Sequence, residues 1–169
     1  KEKKEKIMIY GDYDVDGTTS VTLLHSFFSK YFKEIIAYMP DRKSEGYGIS
    51  LKGIKKAKES NVSLIIAIDC GINALEEIDF ARKNEIDFII CDHHLPAGSS
   101  VPEAATAVLC PPQEGCLYPN PALAACGVSL KLAQALLFRS PKWKNRPKNC
   151  EQKREDYLDL KVIRPLDKS

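Results

Sequence analysis

Four short apolar runs, Ile7–Tyr10, Ile35–Met39, Leu64–Ile68 and Phe88–Ile90, constrain this chain more than any other feature. Each is continuous rather than alternating and is rich in β-branched or aromatic residues. A strand solvated on one face alternates apolar and polar positions, whereas a continuous run marks a strand buried on both faces. Ala105–Leu109 reads as a fifth strand. Between the runs lie helical patterns. Thr18–Phe32 sets Val21, Leu24, Phe28, Tyr31 and Phe32 on one side at helical spacing. Ser50–Glu59, with Ser50 as N-cap, and Ala74–Asn84 read similarly, and Leu123–Phe138 is a helix of small and apolar residues. Strands alternating with helices predict an α/β fold, a mostly parallel five-stranded sheet with helices on both faces.

The composition suits one globular domain with a real core: 44% of the 169 residues are apolar and 28% charged. No apolar run approaches the ~20 residues needed to cross a bilayer, so no membrane span is expected. Lys1–Lys6 alternates charge with no signal-peptide run behind it, and an initiator Met is lacking. Residues 1–6 therefore read as a charged leader, and the sequence as beginning partway into a longer protein. The domain is placed at 7–138. Residues 139–169 read as a basic linker and the incomplete start of a further helix. Between 140 and 154, Lys142, Lys144, Arg146, Lys148, Lys153 and Arg154 face a single acid, Glu151. Such a run is either a solvated linker or a phosphate-contacting patch. The net charge of +2 is too balanced to argue for nucleic acid by itself. Six cysteines, at 70, 91, 110, 116, 126 and 150, include no C-x-x-C pair. Cys70 and Cys91 end apolar runs, where a thiol behaves as a small hydrophobe. A reduced, cytoplasmic setting fits better than a disulfide framework.

Ligands of a parallel α/β sheet gather beyond the C-terminal ends of its strands. Three polar clusters fall there. Asp12, Asp14 and Asp16 follow the first strand, Asp69 closes the third, and Asp92, His93 and His94 close the fourth. In extended chain alternate residues point the same way, so the first three acids can present carboxylates to one side. Such a cluster repels itself and raises its own pKa values unless divalent cations neutralise it. Carboxylates joined by imidazoles suit Mn²⁺ or Mg²⁺. Two such ions would activate a water and hold the attacking and leaving oxygens of a phosphoryl centre. Gly17 is expected to turn the chain into a helix starting near Thr18, whose N–H groups can face a phosphate.

Each feature also has a plainer reading. The D-x-D-x-D-G run resembles half a calcium loop, but the twelfth position counted from Asp12 is Leu23 rather than Glu, and a strand precedes it. Asp69 alone could cap the next helix, a His-His pair could lie idle on the surface, and His25 inside the first helix reads as structural. Glu45-Gly46-Tyr47-Gly48 makes either a flexible turn or a platform where a base or sugar stacks on Tyr47. Arg42, near the end of the second strand, can meet a phosphate. What favours a site is the meeting of all three clusters at one edge of one sheet.

G-D-Y-D-V-D-G-T-T-S at Gly11–Ser20, I-D-C-G-I at Ile68–Ile72 and D-H-H-L-P at Asp92–Pro96 resemble successive motifs of the DHH phosphoesterase superfamily. Pro40–Arg42 with Glu45–Ile49, and Cys126-Gly127-Val128 opening a helix, resemble its branch of bacterial single-stranded-DNA-specific 5′→3′ exonucleases. The likeness runs from Ile7 to Leu137. It implies metal ligands at Asp14, Asp16, Asp69 and His93, with Asp69 bridging and Asp12 a further ligand or supporting acid. It implies that Asp92 orients His93 and that His94 touches the scissile phosphate, which makes Asp12, Asp92 and His94 catalytic. Arg42, Tyr47, Gly48 and His94 are the implied substrate-binding set. The resemblance further implies two Mn²⁺ or Mg²⁺ ions per complete site and hydrolysis by metal-bound water. It implies a monomer acting on single-stranded DNA in repair and recombination, with single-stranded-DNA-binding protein as a partner.

Departures bear on completeness. The family carries a later metal-ligand Asp, after a helix and strand resembling Tyr157–Ile163; Asp167 is near that place without the usual surroundings and is not assigned. The DHHA1-type second domain is absent from these residues. Cys110 precedes Pro111 where Asp or Asn is usual, and Ala124-Ala125 replaces a Gly-containing pair. The expectation is a C-terminally truncated domain with weakened metal binding and little nuclease activity of its own. Rival readings are an oligoribonuclease, cyclic-dinucleotide phosphodiesterase or pyrophosphatase, whose first motif carries a His where Tyr10 stands, and a non-catalytic scaffold, which would lose acids that this chain keeps. A receiver-type signalling domain gives the His-His pair no role.

Overall fold

The computed structural model describes residues 5–98 and 101–139. Its strands β1 (Ile7–Gly11), β2 (Ile35–Tyr38), β3 (Leu64–Ile68), β4 (Asp87–Cys91) and β5 (Ala107–Leu109) form one parallel sheet in the order β2-β1-β3-β4-β5. The helices are α1 (Val15–Phe28), α2 (Leu51–Glu59), α3 (Leu75–Lys83) and α4 (Ala125–Arg139). Every expected strand and helix before residue 139 is present. The basic stretch, the further helix and Asp167 lie outside the described residues.

Period-two alternation along the central strands feeds two separate cores. Met8, Tyr10, Ile65, Ala67, Phe88 and Ile90 pack with Ile54 and Ala57 of α2 and Ile78 and Ala81 of α3. Ile7, Ile9, Ile66, Ile68 and Cys91 pack with Val21, Leu24 and Phe28 of α1 and Val128 and Leu132 of α4. Both faces of β1 and β3 are therefore covered, and this is why their sequences are apolar without interruption. Each large aliphatic or aromatic side chain so buried contributes about 1.5–3 kcal/mol relative to exposure. The edge strand β2 is the less buried one, with Ala37 exposed. Ser50 caps α2 as expected, its side chain accepting from the Gly53 amide.

The entry to α1 differs from the sequence reading, and the difference reaches the acids. The helix begins at Val15, not near Thr18, because Asp14 caps it: Asp14 is extended (φ −80°, ψ −175°) and its Oδ1 accepts from the Gly17 amide at 2.8 Å. Asp12, Asp14 and Asp16 thus do not alternate along one extended segment. Asp12 continues from β1, Asp14 sits at the cap, and Asp16 occupies the first turn. At the other end the helix stops at Phe28, and Tyr31 and Phe32 stay 56% and 39% exposed instead of facing the core. Gly17 is required by close approach rather than by a turn. A Cβ there would lie 2.3 Å from the Asp12 carbonyl oxygen and 2.8 Å from its nitrogen. Gly17→Ala is expected to destabilise the fold by about 1–3 kcal/mol, the usual cost of overpacking, measured by urea unfolding.

Candidate metal centre

The strands that carry the acids end level with one another. Gly11 pairs with Ile68, and Ile68 with Cys91, so the next residues, Asp12, Asp69 and Asp92, form a row across β1, β3 and β4. The strand order reverses between β1 and β3, with β2 on one side of β1 and β3 on the other. A crevice opens at such a switch point beyond the strand ends. The three carboxylates in the row are only 2%, 1% and 1% exposed. Taking anions out of water at this depth costs several kcal/mol each unless something compensates them.

Asp92 is compensated within the protein. Its Oδ2 accepts from the Ile72 amide at 3.0 Å; its Oδ1 accepts from the His93 and His94 amides at 2.7 and 3.1 Å, and lies 2.7 Å from His94 Nδ1. The ring that Asp92 orients is therefore that of His94, not that of His93, because the chain turns straight after β4 and lays His94 over the carboxylate. Asp12 and Asp69 are not compensated. Oδ1 of each is buried without a hydrogen-bond partner among the described residues. His93 Nε2 approaches Asp69 Oδ1 to 3.0 Å but out of hydrogen-bond alignment. Asp69 also sits at φ +60°, a left-handed conformation that Asp tolerates better than most residues and that concentrates at functional sites. Burial, followed by the charges of Asp14 and Asp16, pushes its pKa up to about 7, and burial raises that of Asp12.

Ligand-competent atoms gather in two clusters, Asp12 with Asp14 and Asp69, and Asp69 with His93 and His94. Within each cluster the atoms lie inside 4.8 Å of one another, and Asp69 belongs to both. A set of carboxylates with imidazoles fits a hard to borderline divalent cation, and two unpartnered buried oxygens fit it further. Asp16 falls outside both clusters. Its Oδ2 and Oδ1 accept from the Ala125 and Cys126 amides at 2.8 and 2.9 Å, capping α4, while its Oδ2 is 3.7 Å from His93 Nε2. The first amides of a helix lack partners within it, and a carboxylate is their strongest acceptor. The sequence reading makes Asp16 a ligand; here its oxygens are engaged by α4.

On the opposite flank, Tyr47 reaches the centre from a firmly held turn. Its hydroxyl is 3.3 Å from His94 Nε2 and 3.4 Å from the Asp69 carbonyl oxygen. Gly46 and Gly48 adopt φ +81° and +80°, which only glycine takes up freely. Hydrogen bonds tie the turn down on both sides of Tyr47. The Glu45 carboxylate, its side chain 5% exposed, accepts from Tyr38 Oη at 2.7 Å, Ser50 Oγ at 2.8 Å and the Asp41 amide at 3.2 Å. Tyr10 Oη donates to the Gly48 carbonyl at 3.1 Å. Arg42 stands over the Tyr13 ring, 5.2 Å from its centroid, and its charge acts to lower the Asp12 pKa.

Sequence reasoning does not single out Asn73. Its Oδ1 accepts from the Ala97 amide at 2.7 Å and its Nδ2 donates to the Leu95 carbonyl at 3.4 Å, clipping down the loop that carries both histidines. An Asn after an Asp-Cys-Gly-Ile run carries no signal of that role, because its partners lie more than twenty residues away. His25 is away from the cluster, beside Ser29. Burial pushes the thiols of Cys70, Cys91 and Cys110 up, which leaves them poor nucleophiles.

Two outcomes follow. Asp69 has a raised folded-state pKa, so its contribution to stability is complete below the ordinary carboxyl range and is lost as pH rises through about 7. Urea titrations of metal-free protein between about pH 5 and 8 should show this loss, and Asp69→Asn should flatten it. Asp16→Ala is expected to lower the melting temperature of metal-free protein more than Asp14→Ala, because it frees two helix amides rather than one; equal losses would count against the capping role.

The description "DHH family, N-terminal domain" belongs to a profile that matches residues 6–163. The single-stranded-DNA-specific exonuclease RecJ of Bacillus subtilis (strain 168) is 45% identical over 139 residues, covering 82% of this chain and 17% of that protein. RecJ of Dickeya dadantii (strain 3937) is 36% identical over 161 residues, covering 94% of this chain and 28% of that protein. A crystal structure of exonuclease RecJ bound to manganese superposes with TM-score 0.67 and 27% identity, covering 85% of this chain and 35% of that one. The chain thus spans about a sixth to a third of the length of the relatives it matches. With the row of acids, the Asp-His-His turn and the profile running over nearly all of its residues, this chain belongs to the DHH family.

Proposed function

We propose that the centre is the hydrolytic site of a metal-dependent phosphodiesterase, a 5′→3′ exonuclease on single-stranded DNA that serves repair and recombination. The observation that carries this reading is the pair of ligand clusters sharing Asp69. Two Mn²⁺ or Mg²⁺ ions held there would supply an activated water and charge for both oxygens of an in-line displacement. Asp12, Asp14 and Asp69 would hold one ion, and Asp69 with His93 the other, with His94 beside it. Asp92 ties down His94 Nδ1, which leaves Nε2 directed at the place where a phosphate oxygen would lie once Tyr47 yields. In the metal-free protein burial tends to lower the His94 pKa, but the Asp92 hydrogen bond and the Asp92, Asp69 and Asp12 charges hold it above the ordinary value. Arg42 is placed to meet a phosphate, and Tyr47 with Gly48 to meet a base or sugar.

Two relatives bear names that specify single-stranded DNA, and the structural neighbour was solved with manganese; both support this assignment. No helix among the described residues is long and apolar enough to cross a membrane. The reading carries with it a cytoplasmic monomer, a domain at 7–138, a basic linker beyond it, and single-stranded-DNA-binding protein as a partner. A scaffold without catalysis would not need to retain five buried or clustered ligand residues, which weighs against that rival. The test is Mn²⁺ binding, followed by calorimetry. Asp69→Asn and His93→Ala are each expected to weaken it at least about tenfold. In a full-length parent of this chain, Mn²⁺-dependent release of nucleotides from the 5′ end of a single strand should stop in the double variant Asp69→Ala, His93→Ala, and persistence would sink the metal assignment.

A further inference from the structure

A cavity of about 410 Å³ adjoins the centre and shares His94, Asp92 and Tyr47 with it. That volume lies in the range of about 300–1,000 Å³ typical of small-molecule sites. Beyond the shared residues its walls include Ile72 and Leu95, with Glu77 of α3 also among its lining residues. Among the described residues no Lys or Arg lines it. Asp92 is already fully hydrogen-bonded, whereas Glu77 has no hydrogen-bond or ion-pair partner among the described residues. Tyr47 remains 58% exposed, so its ring is available to a ligand. A slot with apolar walls, one aromatic ring and one free carboxylate repels a phosphate. It suits a flat, uncharged group that carries N–H donors.

We propose that this cavity receives the nucleobase of the nucleotide whose phosphate lies at the metal centre, the base stacking on Tyr47 and donating an N–H to Glu77. The proposal rests on the phosphodiesterase reading and adds to it this cavity as the seat of the base and Glu77 as a contact residue. Adenine, cytosine, guanine and thymine all carry an N–H or amino donor on their pairing edge. The contact therefore selects a base over no base, rather than one base over another, as an enzyme that degrades any sequence requires.

The plainer role for Glu77 is to complement the N-terminus of α3, and the experiment separates the two. With Mn²⁺-loaded protein, binding of dAMP, dCMP and dTMP is compared with that of deoxyribose 5-phosphate and of inorganic phosphate. Each base is expected to add at least about tenfold in affinity over the abasic sugar, the scale of one stacked base. Leu95→Trp, at a site 75% exposed and tolerant of size, should fill the mouth and abolish that gain while inorganic phosphate still binds. Glu77→Ala should reduce the gain at unchanged Mn²⁺ affinity; a helix-stabilising role alone would lower the melting temperature and leave the gain intact. The cavity assignment is overturned if the base adds nothing in the unmodified protein, or if the gain survives in both variants. Failure of Mn²⁺ and inorganic phosphate to bind at all would instead remove the phosphodiesterase reading, and the cavity assignment with it.

Discussion

Asp12, Asp69 and Asp92 stand side by side beyond three adjacent strands, each no more than 2% exposed. Three like charges in a low-dielectric setting repel one another and have lost their water. The protein answers this differently at each position. Asp92 collects three amides and an imidazole and becomes a structural anchor for the histidine turn. Asp12 and Asp69 each keep an oxygen without a hydrogen-bond partner among the described residues. That asymmetry separates a carboxylate held by the chain from two that keep an oxygen open to a ligand.

Around this row the fold supplies rigidity from both faces of the sheet. On one face Asp16 joins the first turn of α1 to the first amides of α4, fixing the two helices at the edge of the cluster. On the other, Glu45, Ser50, Tyr38 and Tyr10 lock the glycine-flanked turn that brings Tyr47 to His94. Asn73 clips the third side. Each of these contacts removes a freedom that would blur the placement of the clustered side chains.

Much of this was legible in the chain. The continuous apolar runs announced doubly covered strands, and β1, β3 and β4 are where they were expected within a residue or so. The acids and histidines were expected beyond strand ends, and Asp12, Asp14, Asp69, His93 and His94 do converge. The pattern misled where local hydrogen bonding overrides it. Asp14 caps a helix that the apolar spacing starts three residues later, because an N-cap acts through one carboxylate and leaves no trace in hydrophobic periodicity. The resemblance makes Asp16 a metal ligand and gives no sign that its oxygens also accept from amides 109 and 110 residues further along.

The sequence alone determined which segments are strands, which are helices, and that every acid of interest lies at one end of the sheet. These follow from side-chain periodicity and from the direction of a parallel strand, both of which are local. Tertiary structure alone decided that β1 lies between β2 and β3, so that the chain reverses its order beside Asp12 and Asp69. It also decided which carboxylates are occupied by amides and which remain open. Strand order depends on the direction each crossover takes, and occupancy depends on which groups meet across the folded chain. Neither is recorded in the spacing of neighbouring residues.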